Sequence, residues 1–432
     1  MNTKLKLIIM NFLQFAVWGA YLTSMGRYLS EVGLSGEIGA FYSMQGVVSL
    51  FMPALMGIVA DRWIPAQRLL GLCHGVAGSL MIGAHIYCQS VGTPDFSILF
   101  CLYTLSVAFY MPTLALSNSV AYTAIEKAGL DIVKVFPPIR VFGTVGFICC
   151  MLLVSALQIE NLSTQFLVSG VTSLVLLMYS FLLPSCPTSR GVGGKGLVDA
   201  LGLRAFQLFK QRKMALFFIF SMLLGVCLQI TNAFANPYLG AFGGIEAYAD
   251  AFGVKYSNVL ISLSQMSETL CILIIPFALR KFGIRNVMLI AMSAWVLRFG
   301  LLGLGNPGSG VWLLLLSMIV YGVAFDFFNV SGSLFVDNET DSSIRSSAQG
   351  LFMIMTNGIG ATIGSYGAQA VISHFVPALP RLEEGMYYDT ASAEALLTGW
   401  SYSWYTFSLY AVVVAISFAL LFKYNSTEKV TR

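Results

Sequence analysis

Apolar residues run through this chain in long unbroken blocks rather than on one face of a helix or strand. A helix of roughly 18 or more apolar residues crosses a bilayer core of about 30 Å. Blocks of that length fall at about 5–28, 38–60, 69–90, 96–125, 138–158, 162–184, 212–241, 257–279, 283–304, 311–336, 344–372 and 400–422. The pattern predicts an all-α membrane protein of twelve transmembrane helices with little chain between them. The first block follows Lys4 and Lys6 as a secretory leader would, yet it continues through Gln14, Trp18 and Tyr21 with no small-residue cleavage site near its end. It is therefore expected to stay as a helix. From Ser185 to about Lys210 the pattern breaks into a polar stretch, Gly-rich near Gly191 to Gly196, that separates six spans from six. The expected domains are an N-terminal six-helix bundle over 1–184, a cytoplasmic linker over 185–211 and a C-terminal six-helix bundle over 212–432. A second long connection, 373–399, carries Glu383, Glu384, Asp389 and Glu394 and reads as a solvated external loop with room for a short helix.

Composition strengthens this reading. Of 432 residues, 57% are hydrophobic and 10% charged, whereas a normal solvated surface needs about 25% charged residues. The basic residues are distributed unevenly. With a cytoplasmic N-terminus, the inner connections hold Arg62, Arg68, Lys127, Lys134, Lys210, Arg212, Lys213, Arg280, Lys281, Arg285 and Arg345 among others, while the outer side keeps Arg27, Lys255 and Arg381. That asymmetry follows the positive-inside rule, and an even number of spans returns the C-terminus to the cytoplasm. The formal net charge of +4 then reflects topology, and no basic stripe with interleaved aromatics points to nucleic acid.

Enzymatic signatures are missing from the sequence. The eight cysteines lie almost wholly inside spans without CxxC or Cys/His spacing, and His74, His85 and His374 are scattered, so neither a metal site nor a cofactor is expected. There is no GxSxG, no phosphate-cradling Gly-rich loop and no HExxH. The chain is not expected to be an enzyme.

The candidate chemistry lies in ionisable residues within apolar blocks. Glu268 sits in the run from Val259 to Leu279, Asp326 in that from Trp312 to Val336, and Arg140 opens a third. Each costs at least about 2.5–3.5 kcal/mol at membrane depth unless it finds a partner or a wet cavity, which makes it a functional candidate. Polar and aromatic neighbours share their faces. Arg140, Thr144 and Phe147 fall at i, i+4 and i+7 on the fifth span, which is expected to begin just after Pro137 and Pro138. Gln229 and Asn232 are three apart on the seventh, Gln265 and Glu268 three apart on the eighth, and Tyr321 and Phe325 one turn apart on the tenth. Asp326 is turned about 100° from Phe325. Amides, carboxylates and a guanidinium can hold hydroxyls and amide-like edges, and aromatic rings can stack on a flat ring. Each also has a structural alternative: interhelical hydrogen bonding for the amides, back-bonding or packing for Thr144 and Tyr321, core rings for Phe147 and Phe325, snorkelling for Arg140. Arg298, also in an apolar block, reads as structural.

After the second block stands Gly57-Ile-Val-Ala-Asp61-Arg62-Trp63, with Arg68 beyond. This resembles the signature between the second and third helices of the major facilitator superfamily. Gly57 would permit close helix approach, Asp61 would cap or pair with a helix end, and Arg62 would stay at the anionic inner surface. Gly57, Asp61 and Arg62 are assigned to gating. Further strings are similar to the nucleoside:proton symporter family of that superfamily. They are Asn11-Phe-Leu-Gln-Phe, Phe136-Pro-Pro-Ile-Arg140-Val-Phe-Gly-Thr144, Phe220-Ser-Met-Leu-Leu-Gly225, Leu228-Gln-Ile-Thr-Asn232, Ser264-Gln-Met-Ser-Glu268-Thr and Tyr321-Gly-Val-Ala-Phe325-Asp326-Phe-Phe-Asn329. The outer segments from Ala241 to Lys255 and from Val376 to Gly399 do not match the family.

The resemblance implies the major facilitator fold, an integral protein of the bacterial inner membrane active as a monomer, and uptake of purine or pyrimidine nucleosides with protons. By the same resemblance Arg140, Thr144, Phe147, Gln229, Asn232, Gln265, Glu268, Tyr321 and Phe325 bind substrate, while Asp326, with Glu268 as its rival, couples the proton. Desolvation and a nearby Arg shift a carboxyl's proton affinity in opposite directions. A carboxyl that meets Arg140 in one state alone would therefore bind and release a proton. A sugar or drug transporter and a transporter-like nutrient receptor are the alternatives.

Overall fold

A computed structural model of the protein describes residues 2–186, 203–341, 344–380, 382 and 385–424, and the side chains of Asp61, Val133, Leu203, Arg204 and Ser346 lie outside that description. Among the described residues there are helices and connections and no strand. Seven helices are each long and apolar enough to cross a membrane, and one bent pair, Ser35–Ser49 with Met52–Ala60, makes an eighth crossing at a 40° break. Pro53, in the first turn of the second piece, has no N–H to continue the ladder across that break. Ser257–Leu304 supplies two crossings. Forty-eight helical residues would extend about 72 Å, more than twice the hydrocarbon core, and the helix breaks at Gly283 with φ 73° and ψ 163°. Only glycine adopts that backbone readily. Three more crossings are shorter or interrupted: Thr3–Gly19 continued by Met25–Glu31, Thr164–Ser180, and Arg345–Met353 continued through Ile354–Gly360 into Ala361–Phe375. The count of twelve matches the hydropathy pattern.

The chain divides into two compact units, Met1–Glu37 with Met44–Leu201, and Ile38–Ser43 with Gly202–Arg432. In the first unit, the span Thr3–Gly19 packs on the fifth span, Ile132–Ala156, and the third, Ala66–Val91, on the fourth, Phe96–Lys127, and the sixth, Thr164–Ser180. The fourth span starts where Asp95 accepts from the Ser97 and Ile98 amides at 2.9 and 3.3 Å, a side-chain cap for two otherwise unpaired donors. Its core is built of Leu7, Met10, Leu70, Val120 and Ile125. The fifth span begins at Ile132, not after Pro137 and Pro138, so both prolines lie within the helix. They withdraw two donors from its second turn, where the expectation had placed them at the start.

In the second unit, the seventh span is Arg212–Ala241, the eighth and ninth lie on either side of Gly283, the tenth is Val311–Glu339 and the twelfth Thr390–Leu421. Stacked, tilted and edge-on rings of Phe217, Phe218, Phe328, Phe335 and Phe352 fill its core. Arg285 donates to the carbonyls of Phe422 and Ala419, both at 2.7 Å, and so satisfies the open end of the twelfth helix. Two expectations about connections change. The external loop ends ten residues sooner, because Asp389 caps a helix that begins at Thr390, accepting from Ser392 N at 2.8 Å. Leu203–Lys210, expected within the linker, forms a short helical turn; the rest of the linker, 187–202, is outside the described residues.

Candidate functional site

The first unit holds Arg140, Thr144 and Phe147 along its fifth span. Arg140 is half-buried, its guanidinium carbon 3.9 Å from the centre of the Phe15 ring on the first span. Such a cation over an aromatic face is held by the ring's quadrupole, which argues against simple snorkelling. Phe147 is buried and meets Trp18 edge-on at 6.3 Å, and Trp18 in turn tilts against Tyr110 at 6.0 Å. Beneath these rings lies a polar cluster that sequence reading did not connect. His74 lies 2.8 Å from Gln14 Oε1 through Nε2 and 2.8 Å from Ser173 Oγ through Nδ1. Gln14 Nε2 donates to Thr113 Oγ1 at 2.7 Å, and Thr113 donates to Tyr110 O at 2.5 Å. Because Thr113 spends its proton on the backbone, Gln14 must donate to it, leaving Oε1 to accept from a protonated His74 Nε2. The signal for this cluster was Gln14 inside an apolar block.

The second unit assembles five of the sequence-identified residues. A close approach of the eighth and tenth spans makes this possible: a Cβ on Gly322 would lie 2.5 Å from the Ser267 carbonyl oxygen, so only glycine fits between them. Glu268 follows Ser267 directly, and Tyr321 precedes Gly322. Tyr321 lies near the Gln265 side chain and within electrostatic range of Glu268 and Asp326. Tyr321 and Phe325 stack nearly parallel, 5.8 Å apart at 8°. Glu268 and Asp326 interact electrostatically with each other. Asp326 is buried, at 3% exposure, and its Oδ2 has no hydrogen-bond partner, whereas Glu268, Gln265 and Phe325 are half-buried. Buried polar atoms are rarely left unpaired, and each exception calls for an explanation.

On the seventh span Asn232 Nδ2 donates to Gln229 Oε1 at 3.4 Å, and within the same unit Gln229 Nε2 donates to Tyr42 O at 3.3 Å. The two amides therefore act as a linked pair. The gating motif fares differently. A Cβ on Gly57 would meet nothing within 4 Å, so this glycine does not mediate the close helix approach expected of it. Arg62 is exposed in the last turn of its helix, while the Asp61 side chain lies outside the described residues. Six of the eight free cysteines are buried, and among the described residues no cluster of His, Cys, Asp and Glu could hold a metal ion.

Twelve crossings, with carboxylates, amides and stacked rings inside the bundle, define a membrane transporter of the major facilitator type. The chain belongs to the nucleoside H+ symporter family, whose model matches residues 1–427. It is 46% identical to the xanthosine permease of Escherichia coli over 428 residues, covering 98% of this chain and 97% of that protein. It is 43% identical, over the same shares, to the nucleoside permease NupG of that organism. The crystal structure of the nucleoside transporter NupG superposes with a TM-score of 0.87 at 41% identity, over 98% of this chain and all of the other. These are transporters, not enzymes.

Proposed function

We propose that the chain carries nucleosides inward across the bacterial cytoplasmic membrane together with protons, by alternating access, acting as a monomer with both termini in the cytoplasm. The observation that carries this reading is the second unit's cluster. Gln265, Glu268 and the parallel Tyr321–Phe325 pair offer hydrogen bonds and a ring face side by side, and a nucleoside needs both: hydroxyls to be held and a base to be stacked upon. Arg140, Thr144 and Phe147, with the Gln229–Asn232 pair, are further nucleoside contacts in this account. The two halves of the sequence serve as separate six-span domains joined by the 185–211 segment. The distribution of Lys and Arg supports the assigned orientation, and lipid surrounds the apolar outer faces.

Asp326 is the proton carrier of this proposal. Its buried, unpartnered Oδ2 is a place where a proton can be held, and Glu268 nearby makes the charge on one carboxyl depend on the state of the other. Glu268 then contacts substrate, so arrival of the nucleoside and of the proton are felt at adjoining groups. Uptake of labelled uridine, adenosine and xanthosine into energised membrane vesicles, with and without a protonophore, tests the reading. Uphill accumulation that collapses with the protonophore is expected for at least one nucleoside; no accumulation of any of them defeats the proposal.

A further inference from the structure

Among the described residues Arg298 is the most deeply buried cation of the second unit, at 2% exposure, and neither the binding nor the coupling account uses it. Among the described residues it has no ion-pair partner. A buried charge without a counter-ion is costly, so its surroundings must compensate and something must make it worth keeping. Its Nη1 donates to Ser317 O at 2.8 Å and to Ser264 Oγ at 3.3 Å, and Nη2 approaches Met318 Sδ at 4.0 Å. Ser317 Oγ donates back to the Arg298 carbonyl at 3.0 Å. These contacts tie the ninth span to the eighth and tenth. Its Nε–H is left without a partner, so hydrogen bonding alone does not account for the residue.

What remains is the face of Tyr321. The guanidinium carbon lies 4.6 Å from that ring's centre, and Trp295, one turn earlier on the ninth span, meets the same ring edge-on at 6.0 Å and 89°. Tyr321 is thus gripped by Arg298 and Trp295 and stacked on Phe325, with the Gln265 side chain nearby. A planar guanidinium fixed at two points sets the ring plane more firmly than a flexible ammonium would. A cation on the ring also draws electron density from the phenol and makes its hydroxyl a better donor.

We propose that Arg298 is a positioning residue for nucleoside recognition: through its cation–π contact it fixes the plane of the Tyr321–Phe325 pair and strengthens the Tyr321 hydroxyl as a donor. This deepens the nucleoside-binding role given to Tyr321 and Phe325 and rests on it. Because stacking grows with ring area, the loss of a fixed plane falls more heavily on purine than on pyrimidine nucleosides.

The test is uptake in vesicles by the full chain and by Arg298→Met, Arg298→Lys and Tyr321→Ala, with KM and maximal rate measured for adenosine and uridine at equal amounts of membrane-inserted protein. Arg298→Met is expected to raise KM for adenosine roughly tenfold, to raise it less for uridine, and to leave the maximal rate within about twofold. Arg298→Lys restores part of the affinity, since charge returns without the planar fork. A fall in inserted protein or thermal stability with both KM values and their ratio unchanged overturns the inference, because packing alone would then explain the residue. Should Arg298→Met fail to insert, Arg298→Lys with Ser264→Ala carries the same comparison: a shifted adenosine-to-uridine KM ratio supports the role and an unshifted ratio overturns it. Tyr321→Ala separates the two levels. If it raises KM and the Arg298 variants do not, the positioning role falls alone; if it leaves KM unmoved, the role of the ring pair in binding falls with it.

Discussion

Two polar clusters, one in each unit, differ in how their hydrogen bonds close, while outside them the first unit too leaves buried groups unpartnered, Trp18 Nε1 and Thr104 Oγ1 among them. Around His74 in the first unit, Gln14, Thr113, Ser173 and Tyr110 form a chain in which each side-chain donor has an acceptor. In the second unit, Asp326 leaves a carboxyl oxygen unpartnered and Arg298 leaves an N–H unpartnered, both inside the bundle. A closed network of neutral groups holds helices together and has little reason to change with the transport cycle. An open one that contains two carboxyls can take up or lose a proton, and its geometry can respond. The first unit's network is therefore assigned to structure, and the second unit's cluster to coupling.

The largest effect expected from this contrast is at Asp326. Asp326→Asn keeps the shape and removes the titration, so proton-driven accumulation should be abolished while nucleoside binding, measured by calorimetry on purified protein, persists. Full uphill uptake by that variant would remove the distinction between the units. Glu268→Gln comes next. Losing a charged acceptor for a ribose or base donor costs about 1.5–3 kcal/mol, so KM should rise between roughly ten- and a hundredfold with accumulation still sensitive to a protonophore. An unchanged KM would exclude Glu268 from substrate contact.

In the first unit the same kind of substitution should act on stability instead. His74→Leu strands Gln14 Oε1, while Ser173 Oγ keeps its bond to the carbonyl of residue 74; interhelical hydrogen bonds in membranes are worth about 0.6–1.7 kcal/mol each, so a lower melting temperature in detergent with an unaltered KM is expected. A changed nucleoside KM at unchanged stability would place His74 in the transport machinery and undo the contrast. The smallest effect lies outside both networks. The Ser392 amide and hydroxyl hold the Asp389 carboxyl below its usual range. The cap's contribution is therefore present at neutral pH and lost as pH falls through the folded-state value. Asp389→Ala should fray the start of the twelfth helix at pH 7, and its difference from the unaltered chain in hydrogen exchange should shrink in acid; a difference independent of pH would rule out the charged cap.

Much of this was legible in the sequence, for a physical reason. Hydropathy counts crossings because the bilayer imposes length, and Glu268 and Asp326 stood out because a charge in such a block is costly. What the blocks do not encode is azimuth and the path of the backbone between them. Arg298 carried the same cost signal but was set aside with its helix, since only packing shows that it reaches the face of Tyr321. The motif marks Gly57 as a packing glycine, while approaches that need a glycine lie elsewhere, at Gly146, Gly225 and Gly322 among others. Pro137 and Pro138 marked a helix start by propensity, yet tertiary contacts carry the helix back to Ile132. Residues 390–399 read as loop because they lie outside the apolar core, although one capping carboxylate suffices to start the helix there.

The central claim is that nucleoside and proton move together through the carboxyls of the second unit. Purified protein in liposomes containing a pH-sensitive dye, with nucleoside added outside to give an inward concentration step and no imposed pH gradient, tests it directly. The account predicts that nucleoside addition acidifies the lumen for the unaltered chain and that Asp326→Asn exchanges labelled nucleoside without moving protons. Nucleoside entry with no lumenal pH change in the unaltered chain, or unchanged proton movement in Asp326→Asn, would contradict it.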